Sequence, residues 1–238
     1  MQSMILLHGL FGGLSNWHGV VAHFQSDYDI HIPPLPIFER TGDDPLRFLT
    51  DSLESYIHAH NLRNVILVGN SLGGHVAILY THRHPENVAH LILTGSSGLY
   101  ENTSYGSFPK RSTYAYIRER VAYTFYDPAV ATDALVDEVF GITTNAAKCL
   151  SIVRMAKSAQ RHYVADLLPE IPTPTLLIWG EDDNITPPRV AREFESFLPH
   201  SELVMLDRCG HAPMMERPEA FNVALQRYLE KAGGPGNV

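Results

Sequence analysis

Gly69-Asn70-Ser71-Leu72-Gly73 sets a serine between glycines two residues away on either side. The aliphatic run Val65 to Val68 precedes it, and a helical pattern from His75 to Tyr80 follows. G-x-S-x-G at a strand-to-helix turn is a pattern that pushes a hydroxyl out beyond the end of a strand. So tight a turn forces its central residue into strained backbone angles. Glycines two before and two after remove the side chains that would collide there. A serine hydroxyl is a poor nucleophile near neutral pH, so it needs a base in hydrogen-bond reach and a third group to orient that base. Two later stretches offer both. Gly180-Glu181-Asp182-Asp183 follows the apolar run Thr175 to Trp179, and Asp207-Arg208-Cys209-Gly210-His211 follows Glu202 to Leu206. Ser71, an acid near position 183 and His211 thus occur in the order serine, acid, histidine, which is the order expected with this type of turn. Protonation of His211 then predicts a loss of rate below about pH 6.5.

The elements around these residues must bring them to one edge. Met4 to Leu7, Tyr28 to Ile32, Val65 to Val68, Val88 to Thr94, Thr175 to Trp179 and Glu202 to Leu206 are short apolar runs of the kind buried on both faces of a sheet. Helical patterns alternate with them. One opens at Ser15-Asn16-Trp17, and a second runs over 45–60 behind the Asp44-Pro45 start signal. Others span Pro188 to Phe197 and Pro218 to Leu229. This rhythm predicts an α/β fold with a mostly parallel sheet and helices on both faces, whose strand-to-helix loops gather at the carboxyl edge. The rhythm breaks after Gly95. Residues 101–168 carry no buried strand pattern but several helical ones, such as Ala129 to Phe140 and Ala146 to Leu168, and many Tyr and Phe residues. They are expected to form an inserted helical cap, with 1–100 and 169–238 as the core. The aromatics are expected chiefly as the cap's own core, with a minority lining an acyl pocket.

Taken together, His8-Gly9 with the glycines that follow, Gly69-Asn70-Ser71-Leu72-Gly73-Gly74, Trp179-Gly180-Glu181-Asp182-Asp183 with Pro187, and Gly210-His211 resemble the α/β-hydrolase-fold enzymes. The resemblance covers nearly the whole chain outside 101–168. Its pattern G-x-x-D-x-x-x-P, framed here by Gly180 and Pro187, selects Asp183 over Asp182 as the orienting acid. It also implies that the backbone N–H of Leu72 forms half of an oxyanion hole and that Leu10 or Phe11, in the loop after His8-Gly9, supplies the other half. The function implied is a serine hydrolase acting on a carboxylic ester or related acyl compound. Carbon–carbon bond hydrolysis of a diketone acid is the alternative that Gly69-Asn70-Ser71-Leu72-Gly73-Gly74 also resembles. The seven residues before His8 are fewer than usual in the family, an economy shared by some esterases and by a menaquinone-pathway lyase of the same fold. Haloalkane and epoxide chemistry is disfavoured, because those relatives carry aspartate at the nucleophile position.

Composition narrows the partners. The chain has 238 residues, 45% hydrophobic and 18% charged, with a formal charge of −8. An acidic balance argues against nucleic acid or an anionic membrane, so a small-molecule substrate is expected. No apolar run approaches the ~20 residues that span a bilayer, and no basic leader precedes Met4, so a cytoplasmic protein is expected. Cys149 and Cys209 are too few for a disulfide framework and are expected as reduced thiols. His8 is expected to be a structural loop histidine. His58 with His60, and His82 with His84, have helical spacings that point to different faces, so no metal and no cofactor are expected. Residues 101–165 carry eight Lys or Arg against six Asp or Glu. Arg154, Lys157 and Arg161 among them fall on one helical face, expected as solvated and alternatively reaching a substrate carboxylate. Acyl length, leaving group and oligomeric state are not encoded in these motifs.

Overall fold

The computed structural model describes residues 1–12, 17–39, 42–102 and 113–233. Six strands, β1 (Gln2–Leu7), β2 (Tyr28–His31), β3 (Val65–Asn70), β4 (Val88–Thr94), β5 (Thr175–Gly180) and β6 (Ser201–Leu206), pair in the order β2-β1-β3-β4-β5-β6. Every pair is parallel. The continuous apolar strands explain themselves by alternation, since successive side chains point to opposite faces. Ile5, Leu7, Leu67, Leu177 and Trp179 enter one core cluster, and Met4, Leu6, Ile66, Val68, Leu176 and Ile178 enter the other. The first face is covered by α2 (Pro45–Ala59), α3 (Leu72–Arg83) and α7 (Pro188–Phe197). The second is covered by α1 (His18–Phe24) and α9 (Pro218–Lys231).

Strand order reverses about β1, which has β2 on one side and β3 on the other. Such a switch point opens a crevice beyond the strand ends. The loop after β1 and the turn after β3 therefore meet there, which sets Leu10 and Phe11 beside Ser71. At that turn Ser71 has φ 52 and ψ −118, a left-handed backbone for a residue with a side chain. The flanking glycines make it feasible. A Cβ on Gly69 would lie 2.6 Å from the Gly73 carbonyl oxygen and from Gly74 N, and one on Gly73 would lie 2.3 Å from the Leu7 carbonyl oxygen. All of these are backbone atoms that cannot swing away.

Among the described residues, three helices, α4 (Tyr114–Tyr123), α5 (Asp133–Thr144) and α6 (Ala146–Arg161), lie between β4 and β5, and a four-residue α8 (Pro213–Glu216) follows the loop after β6. Two helices differ from the sequence expectation. The one expected from Ala129 begins at Asp133, because Pro128–Val130 forms a separate 3-10 turn capped by Asp127, and Thr132 caps α5 by accepting from the Leu135 N–H. The one expected through Leu168 ends at Arg161. There His162 turns extended (φ −97, ψ 95), and the Val164 N–H donates to the Gly98 carbonyl oxygen at 2.9 Å. Val164, in irregular chain, and Leu168, which opens a 3-10 turn (Leu168–Glu170), prolonged the helical pattern but are fully buried outside α6. β2 ends at His31, one residue short of the expected strand. Ser15, Asn16, Tyr105, Phe108, Lys110, Arg111 and the Gly234-Pro235-Gly236 tail lie outside the described residues.

Candidate active site

Ser71 follows β3, and hydrogen bonds to the neighbouring strand end fix its backbone. The Ser71 N–H donates to the Thr94 carbonyl oxygen at 3.1 Å, and the Ser97 N–H donates to the Ser71 carbonyl oxygen at 3.1 Å. Leu72 opens α3, where the first backbone N–H groups have no carbonyl of their own helix to bond and carry the positive end of the helix dipole. Ser71, Leu72, Leu10, Phe11 and His211 all line one cavity of about 260 Å³. Val121 and Phe125 close it from the α4 side, Leu135 and Val139 from α5, and Ala156 and Ala159 from α6. The volume lies at the small end of ligand pockets, which run from about 300 to 1,000 Å³.

Behind the cavity wall the acid and the imidazole are joined. His211 Nδ1 lies 2.8 Å from Asp183 Oδ2, with the two residues 7% and 3% exposed. Every remaining acceptor site of Asp183 is used. Its Oδ1 accepts from the Ile185 N–H at 2.8 Å and the Thr186 N–H at 2.9 Å, and its Oδ2 also accepts from the Thr186 hydroxyl at 2.8 Å. Four donors hold the carboxylate in one orientation. Glu181 and Asp182, the rival acids in the same loop, are exposed. Burial works against a protonated His211. The charge and hydrogen bond of Asp183, with Glu101 and Glu216 adding to them, outweigh it and raise the imidazole above the usual histidine value. The sequence expectation of rate loss below about pH 6.5 therefore moves upward. A neutral imidazole so placed can accept a proton from a group in the cavity, and the Asp183 bond directs its free nitrogen away from the acid.

Three residues to which the sequence assigned no role hold this arrangement. Asn70 donates from its side-chain amide to the carbonyl oxygens of Thr94 (3.1 Å) and His211 (3.2 Å), tying the serine turn to the histidine loop. Its signal was a polar residue at the buried end of β3. Thr186 bridges, with its hydroxyl 2.8 Å from Asp183 Oδ2 and 3.3 Å from His211 Nδ1. Glu216 of α8 accepts from the Gly210 N–H and the Tyr126 N–H, both at 2.7 Å, while the His211 N–H donates to the Thr124 carbonyl oxygen at 2.9 Å. The end of α4 is thereby locked onto the histidine loop.

The secondary expectations resolve individually. His8 is buried, with Nδ1 against the Gly9 carbonyl oxygen at 2.8 Å and Nε2 accepting from the Leu35 N–H at 3.2 Å, as a loop histidine should be. His82 pairs with Glu170, and His84 with Glu54. His60 stacks on Tyr56. Cys149 and Cys209 are free thiols, and burial pushes the Cys209 thiol up. Arg154, Lys157 and Arg161 are exposed on α6, whose cavity wall is Ala156 and Ala159 instead. Of the aromatics between β4 and β5, Phe125 lines the cavity, Tyr114 packs edge-on to Phe140, and Tyr126 and Tyr163 are exposed. No helix among the described residues is long and apolar enough to cross a membrane.

A six-stranded parallel sheet with helices on both faces and a serine, histidine and acid at its carboxyl edge defines a class of hydrolytic enzymes. The chain belongs to the alpha/beta hydrolase family, whose profile matches residues 4–224. One relative is a 2-hydroxy-6-oxo-6-(2'-aminophenyl)hexa-2,4-dienoic acid hydrolase of Metapseudomonas resinovorans, 26% identical over 97% of this chain and 84% of the relative. Another is a pimeloyl-[acyl-carrier protein] methyl ester esterase of Vibrio cholerae, 25% identical over 92% and 91%. Among solved structures, the alpha/beta hydrolase MGS-MChE2 from the metagenome of lagoon sediments at Mar Chica, Morocco, is 37% identical with a TM-score of 0.78, covering 97% of this chain and 91% of its own. The protein is a hydrolase of this family.

Proposed function

We propose that the protein is a serine hydrolase of carboxylic esters or related acyl compounds, working through Ser71, His211 and Asp183. The observation that carries the proposal is the conjunction of a left-handed Ser71 at the end of β3 with an imidazole bonded to Asp183 at 2.8 Å in the same cavity. In the first half-reaction Ser71 Oγ bonds to the substrate's carbonyl carbon, and its proton passes to His211 Nε2. Negative charge gathers on the carbonyl oxygen, where the N–H groups of Leu72 and of Leu10 or Phe11 receive it. Each such donor contributes about 3 kcal/mol to the transition state. The carbonyl re-forms as the bond to the leaving group breaks, and His211 gives that group its proton. Water then repeats the sequence on the acyl-enzyme, losing a proton to His211 and releasing the carboxylic acid and free Ser71. Asp183 keeps the imidazole in the tautomer that presents a lone pair to Ser71. Residues 101–168 serve as the cap that closes the acyl site, and the mechanism uses no metal or cofactor.

The relatives named for dienoic acid substrates support a second reading, hydrolysis of a carbon–carbon bond in a diketone acid. A p-nitrophenyl ester chain-length series run beside a ring-cleavage dienoate separates the two. Turnover of short esters with no cleavage of the dienoate is the expected result, and the reverse would replace the ester reading.

A further inference from the structure

The cavity wall holds a carboxylate that the proposed mechanism does not use. Glu101 lines the cavity with Ser71, Ser97 and His211. It is partly buried, and burial, its dominant influence, raises its pKa above the usual carboxylate range. The side chains of Ser97 and of Gln160 on α6 lie beside its carboxylate and oppose that rise. The neighbouring backbone is pinned as well. Asn102 donates from its N–H to the Ile185 carbonyl oxygen at 2.7 Å and from its amide to the Asn184 carbonyl oxygen at 3.2 Å. Ser97 is itself fixed, with its hydroxyl 3.3 Å from Nδ1 of the buried His75 and 3.4 Å from the Ser71 carbonyl oxygen. A carboxylate offers about four lone-pair sites. Even with Ser97 and Gln160 beside it, that leaves acceptor capacity for the cavity it lines.

Resting on the serine-hydrolase reading, we propose that Glu101 is a specificity-determining residue that selects uncharged substrates bearing a hydrogen-bond donor and excludes those bearing a carboxylate near the scissile carbonyl. A donor such as a hydroxyl or a primary amide completes the carboxylate's hydrogen bonding. A second carboxylate beside it meets like charge in a partly desolvated site, which costs about a hundredfold in binding. Among the described residues, the groups that act on Glu101 are Ser97 from the loop after β4, Gln160 from α6, Asp183 from the loop after β5 and His211 from the loop after β6. Among the described residues that line the cavity, the Lys or Arg is Arg120 on the α4 wall, whose guanidinium lies 5.4 Å from the centre of the Tyr123 ring. Arg120 is shared with an outer hollow lined by Glu119, Tyr123 and Pro128, which sets it at the mouth of the cavity. A dienoic acid substrate is a carboxylate, so Glu101 weighs against the carbon–carbon reading too.

The test uses two matched pairs of aryl esters. One pair is the p-nitrophenyl half-ester of adipic acid and its amide; the other is 4-acetoxybenzoate and 4-acetoxybenzamide. The wild type is expected to prefer the amide by about a hundredfold in kcat/KM in at least one pair, and Glu101→Gln to shrink that ratio at least tenfold, with Glu101→Asp keeping its direction. The ratio cancels the His211 limb, which both substrates share. It should therefore narrow as pH falls and Glu101 protonates in the wild type, and stay flat in Glu101→Gln. Should Glu101→Gln fail to fold, the wild-type pH trend and Glu101→Asp decide. A wild type without preference, a ratio unmoved by Glu101→Gln, or one that moves only in Arg120→Gln would overturn the proposal. Fluorophosphonate labelling of Ser71, run in parallel, keeps the two proposals apart. A labelled enzyme without charge discrimination loses only this inference, whereas an unlabelled one loses the serine-hydrolase reading beneath it.

Discussion

Replacing Asp183 by asparagine tests the geometry more sharply than deleting it, because the new side chain has the same shape and only one oxygen. Two orientations are open. With its amide nitrogen toward Ile185 and Thr186, asparagine would set a donor against two backbone N–H groups now 2.8 and 2.9 Å from Oδ1. Two buried donors left without acceptors cost about 1–3 kcal/mol each. With its oxygen there instead, both bonds survive. The amide then faces the Thr186 hydroxyl, which can turn and accept, and His211 Nδ1, now a donor position 2.8 Å away. The imidazole responds by moving its proton to Nε2. The second orientation wins, the fold survives, and Nε2, the proposed base, becomes a donor that can no longer accept a proton. A loss of about 10⁴ in kcat is expected, equivalent to about 5.4 kcal/mol of barrier. The assay is turnover of a short p-nitrophenyl ester at pH 8, with a urea melt to verify that stability is retained. Asp182→Asn, at the exposed neighbouring carboxylate, should leave kcat unchanged. Activity of Asp183→Asn within tenfold of wild type would refute the orienting role.

The acid limb of kcat/KM should fall at an apparent pKa above 6.5. The base must be neutral, and its raised pKa keeps it protonated to higher pH; a limb at or below 6.5 would contradict this. Gly73→Ala should destabilise by about 1–3 kcal/mol or more in urea, since its Cβ would meet the Leu7 carbonyl oxygen at 2.3 Å. Gly141→Ala in α5, with nothing within 4 Å, should stabilise by about 1 kcal/mol, and equal effects of the two would be evidence against the tight turn. His75 is fully buried, and burial, with His162 3.2 Å away, lowers its pKa to about 3. The unfolded chain binds a proton there below about pH 6.5 and the folded chain does not, so stability is lost as pH falls through that window. The wild type should lose about 2 kcal/mol more than His75→Gln between pH 6.5 and pH 5, and identical pH slopes would count against it.

Much of this was legible because local chemistry carries it. Strands buried on both faces need unbroken apolar runs, so β1, β3 and β5 announce themselves. Gly69 is demanded by atoms of Gly73 and Gly74, a few residues away, and Ser71, Asp183 and His211 each follow a strand. The residues missed have partners far along the chain. Asn70 reaches His211, Tyr126 reaches Glu216, and Ser97 meets His75; no local pattern encodes such pairs. The end of α6 was misjudged for a related reason. Val164 and Leu168 continue the helical period but are buried beyond the end of α6, in irregular chain and in a 3-10 turn, and a buried apolar residue looks the same in either state. The start of α5 was hidden by two consecutive caps, Asp127 and Thr132.

Labelling with a fluorophosphonate followed by peptide mass spectrometry bears most directly on the central claim. A left-handed Ser71 backed by His211 and Asp183 predicts one adduct per chain, on the peptide containing Ser71, absent in Ser71→Ala and formed at least a hundredfold more slowly in Asp183→Asn. No adduct on the folded protein, or an adduct on another residue that persists in Ser71→Ala, would contradict it.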